Sequence, residues 1–146
     1  MKWVWFDMDG TISNLYGVPN WLQHLKMESP YPYFAARPLL RLTTLARQLH
    51  KLQRAGYCIG VISWGARESS AEYFKKTADA KRSWLTMRMP SVEWDAIKIV
   101  PYGRDKWEEC GCGILFDDEA HNRETWQGAA YPPEEIMQVL SGLLKK

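Results

Sequence analysis

At 146 residues the chain can bury one hydrophobic core but is too short for two ordinary domains facing each other across a cleft, so residues 1–146 read as a single domain. A hydrophobic content of 46% with 25% charged residues excludes a disordered chain. Nineteen Lys plus Arg against seventeen Asp plus Glu leave a charge of +2 with no dense basic run, which excludes a phosphate-neutralising patch for duplex nucleic acid.

In chain order, Trp3 to Phe6 is a short apolar run that turns acidic at Asp7, leaving no room for the apolar stretch of a secretory signal. No later segment is apolar for long enough to span a bilayer, so the expected location is the cytoplasm, with no membrane partner. The stretch from about Asn14 to Arg37 is rich in Tyr, Trp and Pro, with weak helical pattern around Trp21, Leu22 and Leu25. It reads as an insertion after the first strand, over the carboxyl edge of a sheet. Leu39, Leu42, Leu45, Leu49 and Leu52 recur at helical spacing, with Pro38 placed for a first turn and Gly56 for the end. Tyr57 to Ile62 reads as a second buried strand, and Ala66 to Arg88 as one broken or two short helices closed by Pro90. Further strands are expected at Ala96 to Val100 and Gly113 to Phe116, with a short fifth at Ala129 to Tyr131. Ile136, Val139, Leu140, Leu143 and Leu144 then form a last helix. This alternation predicts an α/β fold, a Rossmann-like parallel sheet of about five strands with helices on both faces. Three cysteines without paired Cys/His spacings point to reduced, packed thiols, and His24, His50 and His121 show no metal spacing.

The chemistry concentrates at strand ends. Asp7-Met8-Asp9-Gly10-Thr11 places two carboxylates one residue apart ahead of a turn glycine, and Phe116-Asp117-Asp118 brings a second pair to the same sheet edge. Four crowded carboxylates repel one another unless a cation neutralises them, and an all-oxygen donor set favours Mg²⁺. Ser63 ends the second strand with a hydroxyl able to hold a phosphate oxygen, and Lys106, in the first turn of a short helix, offers a positive charge. Together these groups suit phosphoryl transfer through an aspartyl-phosphate.

These residues resemble, in order and over nearly the whole chain, the four motifs of the haloacid dehalogenase-like (HAD) superfamily of phosphohydrolases. The resemblance implies that Asp7 is the nucleophile and Asp9 the general acid and base. It also implies that Ser63 binds the phosphoryl group and that Lys106, preferred over Lys98, stabilises negative charge. In that family the metal is held by the nucleophile's carboxylate, by the backbone carbonyl of the second Asp and by one Asp of the fourth motif. Those positions are Asp7, Asp9 and Asp118 here, with Asp118 favoured over Asp117 and Asn122 a further polar residue nearby. The residues from about 14 to 37 become a small cap. Val100-Pro101-Tyr102-Gly103 is similar to the corresponding stretch of deoxyribonucleotidase-like members, so the implied function is a Mg²⁺-dependent phosphatase acting on a small phosphorylated substrate, a nucleotide or a nucleic-acid end.

The competing expectation is a non-catalytic phospho-receiver, or a HAD-like protein that only binds phosphate ligands. Receiver domains carry their phosphorylated Asp at the end of a middle strand. The middle strands are expected here to end at Ser63 and at Pro101-Tyr102, with no such Asp. Arg67 is either a substrate contact or a partner for a neighbouring Glu. Trp21, Tyr31, Tyr33 and Phe34 are either packing residues or a platform for base stacking.

Overall fold

The computed structural model describes residues 2–146. Five parallel strands form the central sheet: β1 (Lys2–Phe6), β4 (Tyr57–Trp64), β5 (Ala96–Val100), β6 (Ile114–Phe116) and β7 (Ala130–Tyr131), in the order β5-β4-β1-β6-β7. A separate antiparallel ribbon pairs β2 (Ser13–Asn14) with β3 (Arg37–Pro38). The helices are α1 (Trp21–Lys26), α2 (Tyr31–Ala35), α3 (Leu42–Arg54), α4 (Ala71–Arg88), α5 (Lys106–Cys110), α6 (Ala120–Thr125) and α7 (Ile136–Leu144). None of them is long and apolar enough to cross a membrane.

Alternation along β1 sends Val4 and Phe6 to one face and Trp3 and Trp5 to the other. The first face is closed by long amphipathic helices: Leu45, Leu49 and Leu52 of α3, Trp84 and Leu85 of α4, and Ile136 and Leu140 of α7 join Val4, Phe6, Ile59 and Val61 in one cluster. The second face carries only the short α5 and α6, and indoles fill the space instead. Five of the eight Trp lie there, at positions 3, 5, 64, 107 and 126. Trp3 and Trp5 stack with centroids 4.7 Å apart, and Trp107 meets Trp126 edge-on at 4.9 Å. The indole N–H groups of Trp5, Trp64 and Trp126 donate to the carbonyls of Cys112, Arg104 and Gly113, so large apolar rings are covered without stranding a donor. Gly60 is part of this layer: a Cβ there would lie 2.5 Å from the Trp5 ring.

Three expectations are corrected. Pro38 does not open a helix; it pairs with Ser13 in the ribbon, the Leu39 N–H donates to the Ile12 carbonyl, and α3 begins at Leu42. The segment before Pro90 is one helix of 18 residues starting only at Ala71, where the Ser70 hydroxyl accepts from the Tyr73 N–H. Its buried face, Tyr73, Thr77, Ala80, Lys81, Trp84 and Leu85, includes a threonine and a lysine, so there is no clean apolar stripe to read. Of the two strands expected in the middle, β4, which carries Ser63 near its end, is interior, but β5 is an edge; β1 is central, with Asp7 just past its end.

Between the ribbon strands, residues 15–36 fold into a 3₁₀ turn, α1 and α2. This segment is tied to α4 at three points. Glu28 accepts from the backbone N–H and the hydroxyl of Ser70, the Tyr73 hydroxyl donates to the Ser29 carbonyl, and the Trp84 indole donates to the Ala36 carbonyl. The three cysteines are free; Cys58 is buried and Cys110 and Cys112 are half-buried.

Candidate active site

β1, β4 and β6 end side by side, and a parallel sheet delivers the residues just past each strand to one edge. Asp7 is fixed there by its N–H, which donates to the Phe116 carbonyl at 2.9 Å. Asp117 and Asp118 come directly after β6. One oxygen each from Asp7, Asp117 and Asp118 lies within 4.8 Å of the others. Three of the four expected carboxylates therefore converge, while the Asp9 carboxylate is bonded elsewhere.

The turn after β1 is built around Gly10, at φ +82°, where a Cβ would overlap the Asp118 carboxylate. Only glycine satisfies both the left-handed backbone and the close approach. The Thr11 hydroxyl lies 3.1 Å from Asp7 Oδ2 and 3.3 Å from Asp118 Oδ1, and accepts from the Asp118 N–H at 3.1 Å. It joins the two acidic loops.

Lys106 opens α5 and is 3% exposed, with Nζ 3.0 Å from Asp7 Oδ1 and 2.6 Å from Asp117 Oδ2. Burial pulls its pKa down, but Asp7 and Asp117 outweigh that, so the ammonium stays charged. Asp117 also accepts from the side-chain amide of Asn122 and the N–H of Glu119. Burial, then Asp7, raise the Asp117 carboxyl to about 6 against the opposing pull of Lys106. Asp118 is raised to about 8, first by burial and then by Asp7. One lysine does not balance three carboxylates, and a divalent cation would. The donor set fits Mg²⁺: hard oxygens only, with Asp118 held by the Thr11 hydroxyl while the oxygens of Asp117 are committed to Lys106, Asn122 and Glu119.

Asp9 faces the other way. Its Oδ2 lies 2.8 Å from Nζ of Lys81, on α4, which also donates to Ser63 Oγ at 2.7 Å and to the Trp64 carbonyl at 2.6 Å. Burial is the main cause of a raised Asp9 pKa, with Lys81 opposing it. Ser63 sits at this sheet edge as expected but is fully buried and does not line the cavity over it. Lys81 is missed from sequence alone because it stands among Lys75, Lys76 and Arg82 and looks like a solvated helix lysine. Its signal is positional: Tyr73, Thr77, Lys81 and Trp84 fall on one buried helical face.

A cavity of about 280 Å³ opens over this edge. Asp7, Asp9, Lys106, Asp117 and Asn122 line its floor, and Leu15, Tyr16, Trp21, Leu22, Leu25 and Tyr33 from the inserted segment form one wall. Trp64, Tyr102 and Arg67 complete the rim. Arg67 has no carboxylate partner among the described residues; its guanidinium lies 6.0 Å from the Tyr102 ring centroid. Tyr31 and Phe34 stay on the outer surface, 55% and 49% exposed, and do not line the cavity. Lys98 is away from the site, donating to the Glu109 carbonyl and lying over Trp5.

No protein-family model matches the chain. No curated protein matches its sequence. Among solved structures, a D,D-heptose 1,7-bisphosphate phosphatase from Burkholderia thailandensis superposes with a TM-score of 0.56 over 100% of both chains at 13% identity. The likeness shows that this chain shares the fold of that phosphatase, a Rossmann-type α/β core with a five-stranded parallel sheet.

Proposed function

We propose that the protein is a Mg²⁺-dependent phosphatase that hydrolyses phosphate monoesters through an aspartyl-phosphate on Asp7. The observation that carries this reading is that Asp7, Asp9, Lys106 and Asp117 line one cavity while Asp118 lies against Asp7 at the same sheet edge, in a fold shared with a phosphatase. A carboxylate oxygen of Asp7 attacks phosphorus as the ester P–O bond breaks, and Asp9 gives its proton to the departing oxygen. Asp9 then takes a proton from water, whose oxygen attacks phosphorus and breaks the bond to Asp7, releasing inorganic phosphate. The raised pKa of Asp9 suits a group that must hold a proton before giving it up. Lys106 lies against the Asp7 carboxylate and offsets charge on the transferring group. Asp7 and Asp118, with the Asp9 carbonyl, are the candidate holders of Mg²⁺, which would supply electrostatic stabilisation of the phosphoryl oxygens. Asp117 serves by orienting Lys106. The Ser63 hydroxyl accepts from Lys81, is fully buried and does not line the cavity, so it supports the ammonium that bonds Asp9.

The preferred substrate class is a nucleotide or a nucleic-acid end. Five aromatic rings, Tyr16, Trp21, Tyr33, Trp64 and Tyr102, line a cavity at the small end of the range for small-molecule sites, which suits one base and its sugar. A panel of nucleoside monophosphates, 3′- and 5′-phosphorylated oligonucleotides and sugar phosphates, assayed with Mg²⁺, tests this. Highest kcat/KM on a nucleotide or an oligonucleotide end supports the class, and preference for sugar phosphates contradicts it.

The central position of β1 also suits a phospho-receiver, because Asp7 then ends a middle strand. Treatment with acetyl phosphate separates the two readings. An adduct lasting minutes indicates a receiver, and immediate release of phosphate indicates a phosphatase.

A further inference from the structure

Of the buried charged side chains, Asp7, Lys106 and Asp117 have places in the proposed chemistry, and Lys81 has none. Its side chain is 1% exposed. An ammonium has three N–H donors and no acceptor, and these three reach Asp9, Ser63 and the Trp64 carbonyl, all within 2.8 Å. Tyr33 of the inserted segment closes the remaining side, with its ring centroid 5.2 Å from Nζ. Burying a lysine costs several kcal/mol unless it is paired and fully bonded, so a buried lysine needs a compensating arrangement of this kind.

Resting on the phosphatase reading, we propose that Lys81 is a positioning residue that fixes the Asp9 carboxyl for proton transfer to the leaving group. The bond to Asp9 crosses from α4 to the turn after β1, 72 positions apart in sequence. The other two bonds anchor the ammonium to the end of β4. Asp9 is thereby held against a strand end, and not on a free turn. A free carboxyl would sample several rotamers, and proton transfer demands hydrogen-bond reach to a single oxygen. Because Ser63 must accept from Lys81, the same ammonium also sets which way the Ser63 proton points. Lys81 touches neither the substrate nor the cation and acts through both neighbours.

The test uses Lys81→Met with two substrates. 4-Nitrophenyl phosphate has a leaving group that departs without protonation, whereas a nucleoside monophosphate releases an alkoxide that needs the Asp9 proton. The expected result is a fall in kcat/KM of about 100-fold or more on the nucleoside monophosphate and under about 10-fold on the nitrophenyl ester. Equal losses on both overturn the assignment, because a general loosening of the fold affects both alike. Asp9→Asn and the double variant Lys81→Met/Asp9→Asn supply a second comparison, and the double variant leaves no unpaired buried charge. The double variant should match Asp9→Asn within about twofold, and a further loss of tenfold or more overturns the assignment. Failure of the phosphatase reading has its own signature, turnover that survives Asp7→Asn.

Discussion

The site has two halves, each organised by one buried lysine, and they differ in what the lysine must balance. Lys106 faces two carboxylates within a cluster of three, on loops that leave the central strands. Lys81 faces one carboxylate and two neutral oxygens, on a helix that also holds the inserted segment. The Lys106 half keeps an excess of negative charge, which is what a cation site needs. The Lys81 half is locally neutral, which is what holding one acid in one geometry needs.

The comparison breaks most sharply at Lys106→Met. Removing the ammonium that pairs with Asp7 and Asp117 leaves buried carboxylates uncompensated, a change that costs about 3–5 kcal/mol where a buried pair loses one partner. Turnover should fall by about 10²–10³-fold or more on aryl and alkyl esters alike, unlike the unequal losses expected for Lys81→Met. Steady-state kinetics on the two ester types, with melting curves for each variant, check this.

Gly10→Ala falls mainly on the Lys106 half, with a close approach to the Tyr16 ring of the inserted segment. The positive φ and the overlap with Asp118 together should lower stability by about 1–3 kcal/mol and weaken Mg²⁺ activation by about tenfold. A magnesium titration of activity reads the second effect directly.

The charge excess gives a pH signature. The folded-state pKa of Asp118, about 8, lies above its ordinary 3.8, so its contribution to the stability of the metal-free protein is full below about pH 4 and lost as pH rises through 8. A cation must displace that proton. Mg²⁺ affinity should therefore rise with pH up to about 8, approaching tenfold per unit, and the gain in Tm on adding Mg²⁺ should grow over the same range. Melting curves from pH 5 to 9 with and without Mg²⁺ test it.

The smallest expected effect concerns the inserted segment. Glu28→Gln weakens the tie to Ser70 at the start of α4, and should raise KM for a nucleotide a few-fold while leaving kcat on nitrophenyl phosphate within about twofold. Steady-state kinetics with both substrates measure it.

The two halves also differ in how far they could be read from sequence. Asp7, Asp9, Asp117 and Asp118 come just after strand ends and Lys106 opens a short helix, where local pattern and topology coincide. The sheet was legible for the same reason, because its strands are short apolar runs. Lys81 was not, because its burial depends on α2 packing against α4 and on the end of β4 meeting its ammonium, contacts that only the fold creates. The helix α2 was hidden by Pro30 and Pro32, which here stand at its start and do not break it. The order of the sheet was misread, since no local signal says that the first strand will be central. Part of the aromatic excess now has a place, as the indole layer on the face that lacks long helices.

Mass spectrometry of the acid-quenched Asp9→Asn variant, after mixing with Mg²⁺ and nitrophenyl phosphate, tests the central claim most directly. With no group to activate water, a phosphoryl adduct should accumulate on Asp7. Absence of any adduct at Asp7, with nitrophenol still released, would contradict the account.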